Sequence, residues 1–208
     1  VVLHVRSSLN DNEGTLVVKE TKEMEKIRIS GVTSKTDEAR VTIYDLDDKP
    51  GVAAAVFSEL AASRINVDMI VQSSALEKTH TNRISFTVKK SDIKSVEGVV
   101  EKLRKAGTVN GKHLVDTKIG IVSIVGVGMK SHTGVASQLF AILAKNKINI
   151  EMISTSEIKI SCVIAEDRVL DAVRAIHRDF GLGEGSVRSA AKPAAKKAAA
   201  QPAAKKKG

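Results

Sequence analysis

VTIYDLDDKPGVAAAVFSELAASRINVDMIVQSS, residues 41–74, returns later in the same chain as VSIVGVGMKSHTGVASQLFAILAKNKINIEMISTSE, residues 122–157. Val41 and Ile43 correspond to Val122 and Ile124. Gly51, Phe57, Leu60, Ile65, Asn66 and Met69 correspond to Gly134, Phe140, Leu143, Ile148, Asn149 and Met152. The offset grows by two between the strand and the glycine, so the second copy has the longer loop. Two long units rule out a solenoid or propeller, which stack more and shorter ones. They indicate a duplicated small domain whose halves differ in the loop before the shared glycine.

Within each copy the hydrophobic period changes midway. Val41-Thr-Ile-Tyr44 alternates as a strand, DDKPG is a turn, and Val52, Val56 and Leu60 then fall at helical spacing. Ile65–Ile70 reads as a strand. Arg83–Val88 reads as its hairpin partner across Leu76–Thr81. Ser91 is placed to cap a helix carrying Ile93, Val96, Val100 and Leu103; Gly107 ends it, and His113–Thr117 gives a last strand. The order is βαββαβ, a ferredoxin-like pattern. The second copy supplies strands at Ile121–Val125, Asn149–Ser154 and Ile158–Ile164, with a final helix on Val169, Val173, Ile176 and Phe180. It then stops without a fourth strand. Lys26–Val32, upstream of the first copy, is a strand without a partner. The economical solution is an α+β fold of two ferredoxin-like βαββαβ domains, the first inserted into the second. The expected division is 1–23 as a separate segment, 24–40 completing the second domain, 41–117 the first domain, 118–183 the second, and 184–208 a tail.

Composition narrows the function. Hydrophobic residues make up 42% and the apolar runs are too short to span a bilayer. With no signal-peptide pattern and a single cysteine, Cys162, the expectation is a cytoplasmic protein. Cys162 lies in IKISCVIA and reads as a small core residue on a strand. The net charge is +9, but residues 187–208 hold Arg188 and six lysines with no acid, which leaves the remainder near neutral. That Ala/Lys/Pro tail is low-complexity sequence and reads as a solubilising appendage, with nucleic acid the less favoured partner. Five scattered histidines give no metal-ligand spacing. With no Trp, one Tyr and four Phe, three of them in helical patterns, RNA recognition by sheet aromatics is disfavoured.

The loops carry what chemistry there is. Asp47-Asp48-Lys49-Pro50-Gly51 precedes a helix, whose unpaired N–H groups suit a carboxylate or phosphate. Asp48 suits an ammonium, and Asn66 and Gln72 on the following strand add amide hydrogen bonds. Carboxylate donors beside an ammonium acceptor describe a free α-amino acid. The same residues also read as an ordinary helix start with solvated acids. In the second loop, Gly128-Met-Lys130 breaks the spacing of a phosphate-binding loop, and the adjacent Ser131 and His132 are poorly placed for a nucleophile and its base.

The paired segments, with Lys49-Pro50-Gly51 followed by Ile65-Asn66-Val67-Asp68-Met69, resemble an ACT domain, an amino-acid-sensing module. GMKSHTGV (128–135) and INIEMISTSEIKIS (148–161) closely resemble the second ACT domain of bacterial aspartate kinase. HVRSSLNDNEGTLVVK (4–19) is similar to the end of that family's kinase domain. The resemblance covers roughly residues 1–182. It implies a regulatory region that binds threonine and/or lysine and transmits feedback inhibition, paired as a homodimer through ACT sheet edges and partnered by a catalytic (alpha) subunit. By resemblance the effector-binding residues are Asp48, Gly51, Ala53 and Gln72 with Asn149 and Ile150; Ala75, Ser85, Thr155 and Ser156 match effector-response positions. Nothing here resembles the KFGGTS-type loop that opens the family's catalytic domain. The implied enzyme is an ATP-dependent phosphotransferase acting on the aspartate carboxylate, so this chain alone is expected to be non-catalytic, with ATP and Mg binding elsewhere. The alternative is an ACT-type sensing module of another protein, with the basic tail binding nucleic acid.

Overall fold

The computed structural model describes residues 3–17, 29–73, 81–130 and 132–182. A short antiparallel pair, β1 (Leu3–Val5) and β2 (Thr15–Val17), comes first and forms its own two-stranded sheet. Next is β3 (Gly31–Lys35). The first repeat unit comprises β4 (Glu38–Asp47), α1 (Val52–Ala62), β5 (Ile70–Ser73), β6 (Thr81–Lys89), α2 (Ile93–Lys105) and β7 (His113–Asp116). The second is β8 (Ile119–Val125), α3 (Val135–Lys145), β9 (Met152–Thr155), β10 (Lys159–Ala165) and α4 (Val169–Asp179).

Both main sheets are antiparallel, ordered β5-β6-β4-β7 and β3-β8-β10-β9. In each, the first and third strands of a unit lie side by side at the centre. β3 occupies beside β8 the place that β7 occupies beside β4, in register from Gly31↔Val125 to Lys35↔Ile121. The upstream strand therefore completes the second sheet, although it is shifted from the Lys26–Val32 reading; residues 26–28 lie outside the described set. The ladder with β8 sets its extent, and that ladder continues through polar Ser34 and Lys35. Similarly β4 begins at Glu38, which pairs with Lys89, three residues before the repeat becomes recognisable.

Two other expectations change. Ser91 does not cap α2: it lies in a 3-10 turn, Lys90–Asp92, that leads into the helix, and its hydroxyl donates to Asp92. The strand expected over Ile65–Ile70 begins only at Ile70. Residues 65–69 are extended and touch β6 through Asp68 N–H to Thr87 and Thr87 N–H to Met69.

The repeated residues close the helices. α1 ends with Arg64 at φ 57 and α3 with Lys147 at φ 55, the equivalent position. Ile65 N–H then reaches the Leu60 carbonyl at 3.0 Å, and Ile148 N–H reaches that of Leu143 at 3.0 Å. This is the Schellman arrangement with its accompanying apolar contact, which explains why Leu and Ile recur at that spacing.

All the helices of the two units cover one face of each sheet. The first core gathers Val41, Ile43, Val56, Leu60, Ile84 and Phe86; the second gathers Val122, Ile124, Leu139, Leu143, Cys162 and Ile176. Phe57 meets Phe86 edge-on with centroids 5.7 Å apart. Cys162 is fully buried, and burial pushes its thiol up to about 11, as a core residue requires. The opposite faces meet each other. Met69, with Val71 against it, packs on Ile119, Ile121, Met152 and Val163. Around this cluster Arg40 bridges Asp116 (3.1 Å) and Glu151 (2.7 Å), Lys90 meets Glu166 (2.9 Å), and Lys35 meets Asp68 (2.7 Å).

Glu38 is buried at this seam. Its Oε1 lies 3.8 Å from Lys35 and its Oε2 receives no hydrogen bond among the described residues. Burial raises its pKa despite Lys35. The folded state thus holds this proton more tightly than the unfolded chain. The group's contribution is most favourable below about pH 4 and declines as pH rises through the folded value. Glu38→Gln is expected to be more stable than the parent at pH 7, with the gap closing at acid pH; urea unfolding at both pH values measures it.

Candidate functional site

A cleft of about 350 Å³ opens at the end of the first sheet, where β4 runs into α1. Its walls come from Leu46–Ala53, from Gln72 on β5, and from Asn82 and Ile84 on β6. A bulge in β4 builds it. The pairing with β6 slips between Ile43 and Leu46, with Asp45 at φ 54. Such an insertion bends a strand and re-aims the residues beyond it. Gly111 packs so close to the bulge that a Cβ there would lie 1.9 Å from the Tyr44 carbonyl oxygen.

Gly51 precedes α1 with φ 95, and Gly134 precedes α3 with φ 89. Glycine has no side chain, so neither residue caps its helix in that way. The first N–H groups of α1 thus remain available, with the dipole's positive end behind them. Ala55 N–H begins the helical bonding to the Gly51 carbonyl at 2.9 Å. Across the cleft, Asp48 receives a 2.8 Å hydrogen bond from Asn82 Nδ2. Lys49 Nζ turns to Asp47 at 2.6 Å, outside that pair. One site therefore contains a fixed carboxylate, a free helix start and two amides.

Of the expected residues, Asp48, Gly51, Ala53 and Gln72 come together here. Asn149 and Ile150 do not. They precede β9 in the second unit, Asn149 exposed and Ile150 half-buried against that unit's core. Asn66 is exposed and takes no part in the cleft. Ser85 faces away from it: neighbouring Ile84 lines the cleft, so the strand's alternation turns Ser85 toward the seam between sheets, where its hydroxyl meets Thr42 at 3.0 Å. Thr155 ends β9, and Ser156 N–H closes the following turn on the Lys159 carbonyl at 2.8 Å. Ala75 and Ser131 lie outside the described residues. Asn82 was not anticipated. Its signal was available, because it falls in step with Ile84, Phe86 and Val88 on the core-facing side of β6. Among the described residues no cluster of His, Cys, Asp and Glu is arranged to hold a metal, and no helix is long and apolar enough to cross a membrane.

Two four-stranded antiparallel sheets, each covered by helices on one face, the second completed by the upstream strand β3, define a pair of ACT domains. The ACT domain family matches residues 27–108 and, in a second form, 122–180. Aspartate kinase of Pseudomonas putida is 45% identical over 184 residues, and aspartokinase of Corynebacterium glutamicum 41% over 185; each match covers 88% of this chain and 44% of the relative. The regulatory subunit of aspartate kinase from Thermus thermophilus, solved in a ligand-free form, superposes with TM-score 0.68 at 35% identity, covering 74% of this chain and 99% of that one. A chain from a structure of aspartokinase alpha and beta subunits matches with the same TM-score at 37% identity, covering 74% of this chain and 99% of that one. The chain belongs to the aspartate kinase family and corresponds to its regulatory ACT region. It spans less than half the length of the curated relatives it matches.

Nothing lies within 4 Å of where a Cβ at Gly51 or Gly134 would stand. An alanine at either position is therefore expected to cost about 1 kcal/mol through backbone conformation alone. Chemical denaturation of the two variants, compared with the parent, measures it.

Proposed function

We propose that the first-domain cleft binds a free α-amino acid, threonine and/or lysine, and that occupancy shifts the paired ACT domains toward an arrangement that inhibits the catalytic part of aspartate kinase. The observation that carries this reading is the opposition of Asp48 to the uncapped start of α1 within one cleft. The α-carboxylate sits at the helix N-terminus, where N–H groups and dipole both favour it. The ammonium sits against Asp48. Gln72, on the exposed edge strand β5, contributes a hydrogen bond to the ligand. Ligands of this kind are small, with charged ends and an aliphatic part, in keeping with a cleft lined by Asp48, Gln72 and Asn82 beside Leu46, Val52 and Ile84.

Asn149 and Ile150 complete the site from a second chain, in a homodimer formed at the ACT sheet edges. This arrangement is consistent with their distance from the cleft in the single chain. Among the described residues no strand pairs with the outer edge of β5, which exposes Ile70, so pairing with a second chain would cover that edge. Inhibition then works by population shift: the effector binds the inhibited pairing more tightly than the active one, and that difference alone moves the equilibrium. Aspartate phosphorylation by ATP belongs to the catalytic part, with which this region associates.

Calorimetric titration with L-threonine and, separately, L-lysine, with dimer content followed in parallel, tests the reading. Saturable binding that promotes dimerisation is expected. Asp48→Ala should weaken binding by about 1.5–3 kcal/mol through loss of a charge-assisted contact. Gln72→Ala should weaken it by about 1 kcal/mol. Affinity unchanged in both variants would remove the cleft from effector binding.

A further inference from the structure

Asn82 is 6% exposed, and its two amide atoms are used unequally. Nδ2 donates to Asp48 Oδ1 at 2.8 Å. Oδ1 is buried and accepts nothing from the described residues. The orientation is not interchangeable, because a flipped amide would set its oxygen against the Asp48 carboxylate. A buried amide oxygen without a donor is costly and calls for a specific reason. Here the residue lies on the wall of the cleft, beside the carboxylate it orients. The only other orphaned buried side-chain atom among the described residues, Glu38 Oε2, belongs to the seam between sheets.

Resting on the amino-acid reading above, we infer that Asn82 is the specificity-determining residue of the ammonium subsite: its Nδ2 positions Asp48, and its Oδ1 accepts a hydrogen bond from the ligand's primary ammonium as the cleft closes around it. Two acceptors, one charged and one neutral, are satisfied together only by a group that carries at least two N–H bonds and a positive charge. A free α-ammonium does this. An N-acylated amino acid has one N–H and no charge, and a hydroxy acid has no N–H at all. The cleft is thereby selective for unmodified amino acids, with selectivity set at the amine end and not only by the side chain. Discrimination of this kind is strong because the wrong ligand leaves a buried acceptor unpaired.

The test uses the full chain, with titrations of L-threonine, L-lysine and N-acetyl-L-threonine into the parent and into Asn82→Leu, Asn82→Asp and Asp48→Ala, between pH 5 and pH 8. The parent should bind the free amino acid and reject the N-acetyl form at every pH. Asn82→Leu should lose about tenfold or more in affinity. Asn82→Asp is the variant that separates this role from a merely structural one: it keeps an acceptor at the same place but sets two carboxylates together, which share a proton at low pH. Its affinity should rise from pH 5 to pH 8 while the parent's stays level, and this arm holds even if the leucine variant fails to fold. Loss of binding in Asp48→Ala, with both Asn82 variants within twofold of the parent at every pH, overturns the role of Asn82 alone. A parent that binds neither threonine nor lysine overturns the amino-acid reading and this inference together.

Discussion

A four-stranded sheet with its helices on one side has a second side that still needs cover. The rest of this chain's architecture depends on how that side is hidden. Each sheet serves as the lid of the other: Met69 and Val71 meet Ile119, Ile121, Met152 and Val163, so the apolar centre of each second face is covered by the other half. The duplication makes this nearly symmetric. Met69 and Met152 are equivalent residues, and the hydroxyl pair Thr42–Ser85 is repeated as Ser123–Ser161 at 2.8 Å. Symmetry fails at the strand that begins each unit. Where β8 places Ile119 and Ile121 on the seam, β4 places Glu38 and Arg40. Arg40 is paired twice over, whereas among the described residues Glu38 keeps one oxygen unpaired. At these two equivalent positions β8 is thus apolar and β4 charged.

The seam also holds a residue that the resemblance matched to an effector-response position and not to the binding set. Ser85 belongs to the contact between sheets, whereas its neighbour Ile84 belongs to the cleft. A one-residue step along a strand changes the face, so adjacent positions can report on different events: occupancy of the site on one side, the fit of the two halves on the other. Residues that influence the response to an effector need not touch it.

Helices, the order of elements along the chain and the inserted arrangement were legible because they depend on apolar periodicity and on residues repeated at fixed spacing. Val52, Val56 and Leu60 are buried as their spacing requires, and so are Val135, Leu139 and Leu143. Strand ends were less legible. They are fixed by backbone ladders, which continue through polar residues such as Ser34 and Lys35. The cleft was half legible. Asp48, Gly51, Ala53 and Gln72 lie close along the chain or match a known pattern. Asn82 arrives from another strand, and its polar character disguised a core-facing position. The bulge at Asp45 left no trace, because an unpaired residue in a strand has no compositional mark. Nor did Glu38, whose burial is a property of the assembled halves.

The inserted arrangement has a consequence for how the molecule comes into being. During synthesis β3 is made early, yet the strand it must lie against, β8, emerges only after the entire first unit. Until then its backbone has no lasting partner, because the inner strand it pairs with has not yet been made. The first unit, by contrast, holds all its own strands and can assemble as soon as it emerges. Its folding brings residues 36 and 118 to neighbouring places, shortening the loop that must close between β3 and β8. The earlier half is in this sense an internal jig for the later one. Damage to the first unit should therefore show up as slow or failed closure of the second.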